Sequence, residues 1–195
     1  SVVLARNEKG EIKYFPLVEL EFNPKANMVE FLFSPANVSK VVEEKAYNLA
    51  TTLIEKLEMI GLLAVELFLN KDGEILINEI APRAHNSGHQ SIEGNYTSQF
   101  AQHLRAILNL PLGNTDLIAP SVMLNLLGEE NANGTAHYEG FEQILAEKGV
   151  YPHLYGKELV KPFRKMGHIT ILDEDLERAK DKARRIKTIV KVTSK

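Results

Sequence analysis

The stretch Leu62–His89, LLAVELFLNKDGEILINEIAPRAHNSGH, constrains this chain more than any other. Two apolar runs, LLAVELFL and EILINEI, flank Asn70-Lys71-Asp72-Gly73. Asp-Gly suits the positive φ angles of a type I′ turn, so the stretch predicts a β-hairpin. With Asp72 and Gly73 as central turn residues, Lys71 faces Glu74, and counting back along both arms sets Glu66 opposite Glu79. A four-residue loop keeps both acids on one sheet face, whereas a three-residue loop separates them, because side chains alternate with period two. The same parity gives that face Leu62, Ala64, Phe68, Ile75 and Ile77. Like charges across a ladder destabilise it, and on an apolar face an uncompensated carboxylate pair is costly. A hard cation resolves the conflict. Mg²⁺ takes one or two carboxylates together with waters and substrate phosphates, which suits a nucleotide-phosphate site. A face open to water with both acids solvated is the alternative.

The loop after the second run, Ala81-Pro82-Arg83-Ala84-His85-Asn86-Ser87-Gly88-His89, is rich in hydrogen-bonding and cationic groups. Taken together, ELFLNKDGEILINEIAPRAHNSGH resembles the metal-binding hairpin and following loop of the ATP-grasp enzymes. Among these it resembles the 5-(carboxyamino)imidazole ribonucleotide synthase family, the ATPase subunits of phosphoribosylaminoimidazole carboxylase. TSQFAQHLRAILNLPLG, PSVMLNLLGE and HLYGKELVKPFRKMGHI extend the resemblance over nearly the whole chain.

The resemblance implies an α+β chain with two parts. Residues 1–110 would be the C-terminal portion of an ATP-grasp fold, an antiparallel sheet with packed helices; residues 111–195 would be a small family-specific α+β domain. It implies that ATP activates bicarbonate as carboxyphosphate and that the carboxyl group passes to the 5-amino nitrogen of 5-aminoimidazole ribonucleotide, in purine biosynthesis. ATP and Mg²⁺ (or Mn²⁺) are the implied cofactors. Glu66 and Glu79 would hold the metal, and Asn78 with Glu79 would meet the ATP phosphates. Arg83 and His85 match the family's substrate-facing, catalytic pair, and Lys157 and Arg164 match positions that bind the ribonucleotide phosphate. An Arg fork suits carboxylate or phosphate, and a His can exchange a proton near neutral pH. Two departures stand out: Leu20-Glu21-Phe22 occupies the place of an Asn-x-His that approaches ATP in many relatives, and the acid preceding the family's first strand would lie before Ser1. The loop carrying Lys157 and Arg164 is one residue longer than in the family, so Lys165 competes with Arg164. The resemblance further implies a homodimer, and a segment of a longer enzyme that is inactive alone.

Composition agrees with this and removes other chemistries. There is no cysteine among the 195 residues, hence no disulfide, thiolate nucleophile or Cys-based zinc site. A net charge of −3 offers no general attraction for nucleic acid or an anionic membrane. No apolar run approaches the roughly 20 residues of a membrane span, and no signal peptide is legible, so a cytoplasmic location is expected. Neither a Walker A sequence nor G-x-G-x-x-G is present. His85 and His89 are spaced like a zinc helix motif, but Ser87-Gly88 argues against a helix and no HExxH acid is present. Two readings compete. A formate-using ATP-grasp enzyme acting on glycinamide ribonucleotide carries an Asp-Thr-Gly-Met-like stretch where this chain has Asn86-Ser87-Gly88-His89; a non-catalytic nucleotide-binding module is the other.

Along the rest of the chain, Ser1–Arg6 and Glu11–Phe22 read as a hairpin and Met28–Phe33 as a strand. Asn37–Ile60 reads as a helix stopped by Gly61, and Thr97 or Ser98 caps a helix to about Asn109 with Phe100, Leu104, Ile107 and Leu108 inward. Pro111, Gly113 and Pro120 mark a boundary. Beyond it, Ser121–Leu127 is a predicted strand, 131–134 a turn, Phe141–Glu147 a short helix, and Tyr151–Tyr155 with Met166–Leu172 a strand pair. Asp175–Thr188 is a helix whose basic run, without aromatics between the charges, reads as a solvated face.

Overall fold

The computed structural model describes residues 1–195. The strands are β1 (Val2–Arg6), β2 (Ile12–Tyr14), β3 (Glu19–Asn23), β4 (Met28–Ser34), β5 (Gly61–Leu69), β6 (Ile75–Ala81), β7 (Ser121–Leu127), β8 (Gly134–Glu139), β9 (Val150–Leu154), β10 (Leu159–Val160), β11 (Lys165–Leu172) and β12 (Lys191–Ser194). The helices are α1 (Lys40–Lys56), α2 (Ser91–Gly94), α3 (Gln99–Ile107) and α4 (Leu176–Ile189). The chain forms two compact units: Ser1–Glu19 with Ser34–Ile118, and Leu20–Phe33 with Ala119–Lys195. A single cut near residue 110 therefore misses that a segment from early in the chain folds with the second unit.

In the first unit a four-stranded antiparallel sheet has the order β2-β1-β5-β6. Its central strands are buried on both faces, which is why VVLA and LLAV read as unbroken apolar runs. On one face Val2, Leu4, Leu63 and Val65 meet Ala46, Ala50 and Ile54 of α1. On the other, Val3, Ala5, Leu62 and Ala64 meet Ala106 of α3. Each fully buried valine or leucine side chain among these contributes about 1.5–3 kcal/mol. Helix α1 is shorter than the sequence predicts: the Ser39 side chain caps its start on the Val42 N–H, and Glu58, at φ +49°, ends it. Gly61 is thus no helix stop. At φ +119° it opens β5, where an added Cβ would lie 3.0 Å from the His103 ring.

The second unit holds a five-stranded sheet, β3-β4-β7-β11-β9, and a three-stranded one, β10-β8-β12. Their core gathers Phe31, Val122, Leu124, Met166, Ile169, Ile171, Ala183 and Ile186. Strands β8, β10 and β12 escape sequence reading because they are short and half polar, and are fixed by their partners. The basic run of α4 is not simply solvated. Arg184 forks onto Glu21 at 2.9 and 3.0 Å, Lys187 meets Glu30 at 2.5 Å, and Arg184 also lies 5.2 Å from the Phe31 ring. Glu21, in the Leu20-Glu21-Phe22 stretch, is held below its ordinary carboxylate range first by that Arg184 bond. No helix of the structure is long and apolar enough to cross a membrane.

Gly140 shows where close approach dictates sequence. It sits at φ +69°, and an added Cβ would lie 2.2 Å from the Ile189 carbonyl oxygen. Gly156 has a similar φ of +65° but nothing within 4 Å. Gly140→Ala should therefore cost about 3 kcal/mol or more, against about 1–2 kcal/mol for Gly156→Ala, in urea unfolding of the two variants. Equal losses would show that φ alone governs both positions.

Candidate active site

The hairpin β5–β6 reaches its arrangement by a route the sequence does not show. The Asn70 N–H bonds the Glu74 carbonyl, which leaves Lys71, Asp72 and Gly73 as a three-residue loop with Gly73 at φ +76°. The Asn70 side-chain oxygen accepts from the Asp72 and Glu74 N–H groups and fixes this geometry. An odd loop pairs Leu69 with Ile75, Phe68 with Leu76 and Leu67 with Ile77. Continued unchanged, it would put Glu79 on the opposite face from Glu66. A β-bulge after Leu67 intervenes, and the ladder resumes with Glu66 opposite Glu79 and Ala64 opposite Ala81. The even-loop expectation is thus wrong, while the pairing it was meant to deliver is present. Ile75 and Ile77 accordingly share the face of Leu67, with Ile75 packed against the α1-side core.

The extra residue is Asn78. Simple alternation would point it away from Glu79; as the bulge residue it brings its amide within 3.5 Å of Glu66 Oε2. From the loop after β6, His85 enters the same space. Its Nδ1 lies 3.8 Å from Glu66 Oε1 and its Nε2 3.6 Å from Glu79 Oε1. The Ser87 N–H donates to His85 Nδ1, and the Ser87 hydroxyl lies 2.9 Å from it. One ligand atom from each of Glu66, Glu79 and His85 falls within 4.8 Å of the others. Glu66 and His85 are each only 12% exposed at the side chain and Glu79 is 60% exposed, so the cluster is walled on one side and open on the other. Two carboxylates and one imidazole with an open side fit a divalent cation that keeps waters or phosphate oxygens in its remaining positions.

Other predicted site residues are not members of this cluster. Arg83 is exposed, with one guanidinium nitrogen donating to the Ala84 carbonyl. Lys157 and Arg164 belong to the second unit, in the segments flanking β10. The Lys157 ammonium donates to the Lys165 carbonyl at 2.6 Å, and Arg164 to the Leu159 carbonyl at 2.7 Å. Burial, and then the neighbouring Arg164 charge, hold the Lys157 pKa below the ordinary lysine value.

Sequence reading missed the groups behind the cluster. Helix α3 packs the reverse of the expected way: Phe100, Leu104, Ile107 and Leu108 are exposed, while Gln99, Gln102 and Ala106 are buried. The spacing of these three, i, i+3 and i+7, was a legible helical stripe, but choosing the apolar stripe as the inner one hid it. The two glutamines face in because loops pass beneath α3 and their backbone groups need partners.

An antiparallel hairpin that presents two acids and a bulge amide, backed by a His-bearing loop, defines first a class. Residues 1–100 match the ATP-grasp domain family, and the chain belongs to it. Residues 121–182 match the phosphoribosylaminoimidazole carboxylase C-terminal domain. Among its relatives are N5-carboxyaminoimidazole ribonucleotide synthases. That of Bacillus subtilis is 46% identical over 175 residues, covering 89% of this chain and 44% of the relative. The crystal structure of the Thermotoga maritima synthetase superposes with a TM-score of 0.90 at 50% identity, covering 100% of this chain and 52% of that one. The Aspergillus clavatus synthase, solved in complex with ADP and 5-aminoimidazole ribonucleotide, superposes with a TM-score of 0.84 at 34% identity, covering 96% and 50%. The chain thus spans about half the length of the relatives it matches.

Proposed function

We propose that this chain is the metal- and acceptor-binding part of an ATP-dependent ligase that carboxylates 5-aminoimidazole ribonucleotide. The observation that carries the reading is the bulged ladder that turns Glu66, Asn78 and Glu79 toward one place beside His85. In the proposed reaction a bicarbonate oxygen attacks the γ-phosphorus of ATP, releasing ADP and forming carboxyphosphate. The 5-amino nitrogen of the ribonucleotide then attacks the carboxyl carbon, phosphate leaves, and the amine gives up a proton. Mg²⁺ or Mn²⁺, when bound, supplies neutralisation of the phosphate charge. Glu66, Glu79 and His85 would hold it, and Asn78 would donate to a phosphate oxygen. Arg83, exposed and cationic, would bind the carboxylate being transferred. Lys157 and Arg164 would bind the ribonucleotide phosphate. Such chemistry needs positioning and charge neutralisation rather than a protein nucleophile, which suits a chain without cysteine. The relative solved with ADP and the ribonucleotide supports the choice of substrates. Bicarbonate as the carboxyl source and a homodimeric whole enzyme belong to the same proposal.

The test supplies full-length enzyme with ATP, bicarbonate and one acceptor at a time. Phosphate release that requires both bicarbonate and 5-aminoimidazole ribonucleotide is expected. Release with formate and glycinamide ribonucleotide, or no acceptor-dependent turnover at all, would overturn the assignment.

A further inference from the structure

Gln99 is fully buried, and it treats the loop after β6 as a strand would. Its Oε1 accepts from the His85 N–H at 2.9 Å, and its Nε2 donates to the His85 carbonyl at 2.8 Å. The second hydrogen of Nε2 points to His89 Nδ1, also at 2.8 Å. One amide thus pins both backbone groups of the residue whose imidazole stands between Glu66 and Glu79. Its own position is braced in turn. The Gln99 N–H donates to Ser91 Oγ at 2.9 Å, and that hydroxyl donates to the Gly88 carbonyl at 2.5 Å. Gly88 passes so close that an added Cβ would lie 2.5 Å from Gln99 Oε1.

Because backbone position fixes where a side chain begins, we infer that Gln99 is a positioning residue that sets the His85 ring against the Glu66–Glu79 pair. It acts through the loop and touches neither acid. Three of the four bonding positions of its amide are filled within one loop, which fixes its orientation as well as its place. This inference rests on the reading of Glu66, Glu79 and His85 as metal ligands.

The same helix provides the control. One turn on, buried Gln102 makes the same two-bond clamp on another loop: its Oε1 accepts from the Gly113 N–H at 2.8 Å and its Nε2 donates to the Gly113 carbonyl at 3.1 Å. Removing either amide strips one buried backbone pair of its partner, so both changes should lower stability alike. Only one of them touches the loop that carries His85.

The experiment measures Mn²⁺ binding to the full-length enzyme by the EPR signal of free Mn²⁺, for wild type, Gln99→Met, Gln99→Glu, Gln102→Met and Glu79→Gln. Gln99→Met should weaken Mn²⁺ binding about 10- to 100-fold, the range of effects seen when the group orienting a ligand is removed. Gln99→Glu keeps the acceptor for the His85 N–H but loses both donors, and should weaken it by a smaller factor; it also serves if Gln99→Met does not fold. Gln102→Met should lower the melting temperature comparably while leaving Mn²⁺ affinity within about twofold. Unchanged affinity in the folded Gln99 variants, or equal losses for Gln99→Met and Gln102→Met, would overturn the positioning role. If Glu79→Gln binds Mn²⁺ as wild type does, the ligand assignment itself fails, a result separable from failure of Gln99 alone.

Discussion

Glu79→Gln in the full-length enzyme should lower kcat for acceptor-dependent phosphate release by about 10²–10³-fold or more, with the fold intact. The substitution keeps the size of the side chain and an acceptor oxygen while removing one of the two charges on the ladder. Glu66 and His85 remain, but a neutral amide is a poor substitute ligand for a hard cation. Without metal the sign reverses. Glu79 faces Glu66 across paired strands, and removing one of two like charges leaves stability unchanged or raises it by up to about 1 kcal/mol. Melting curves with and without Mg²⁺ separate the two effects. Wild type should melt higher with Mg²⁺, because a ligand of the native state stabilises it by mass action, and the variant should not respond. Turnover of the variant within a few-fold of wild type would remove the metal cluster from the mechanism.

Lys157→Met should raise KM for the ribonucleotide about 10- to 100-fold, the worth of one charge-assisted hydrogen bond, and should change kcat little. Methionine keeps the apolar stem that carries the ammonium to 5.5 Å from the Tyr155 ring. The pH dependence follows in sign from the lowered pKa. Only the ammonium attracts a phosphate; burial and Arg164 favour its loss, so KM should begin to rise with pH below the range in which an ordinary lysine titrates. Lys157→Arg, which stays charged, should flatten that alkaline rise. A KM indifferent to both substitutions and to alkaline pH would remove this loop from acceptor binding.

Much of the first unit was legible because its signals are local. The apolar runs LLAVELFL and EILINEI, the Asp-Gly turn and the 3.6-residue recurrence in α1 each need only neighbours along the chain. The short strands β8, β10 and β12 gave no such signal, since their hydrogen bonds come from segments far away in sequence. The acidic pair stands between these cases. Reading Glu66 against Glu79 assumed an even loop, but the loop is odd and the bulge at Asn78 supplies the missing residue.

What the sequence by itself determined is the chemistry on offer: two acids on one hairpin, a cationic loop directly after them, no thiol, and a pattern of letters specific enough to name a family. Only the tertiary structure decided which way those groups face. A bulge shifts parity without changing composition, and a helix turns buried glutamines rather than leucines inward when loop backbone beneath it must be satisfied. Both are settled by hydrogen bonds between segments distant in the chain, and no local periodicity records them.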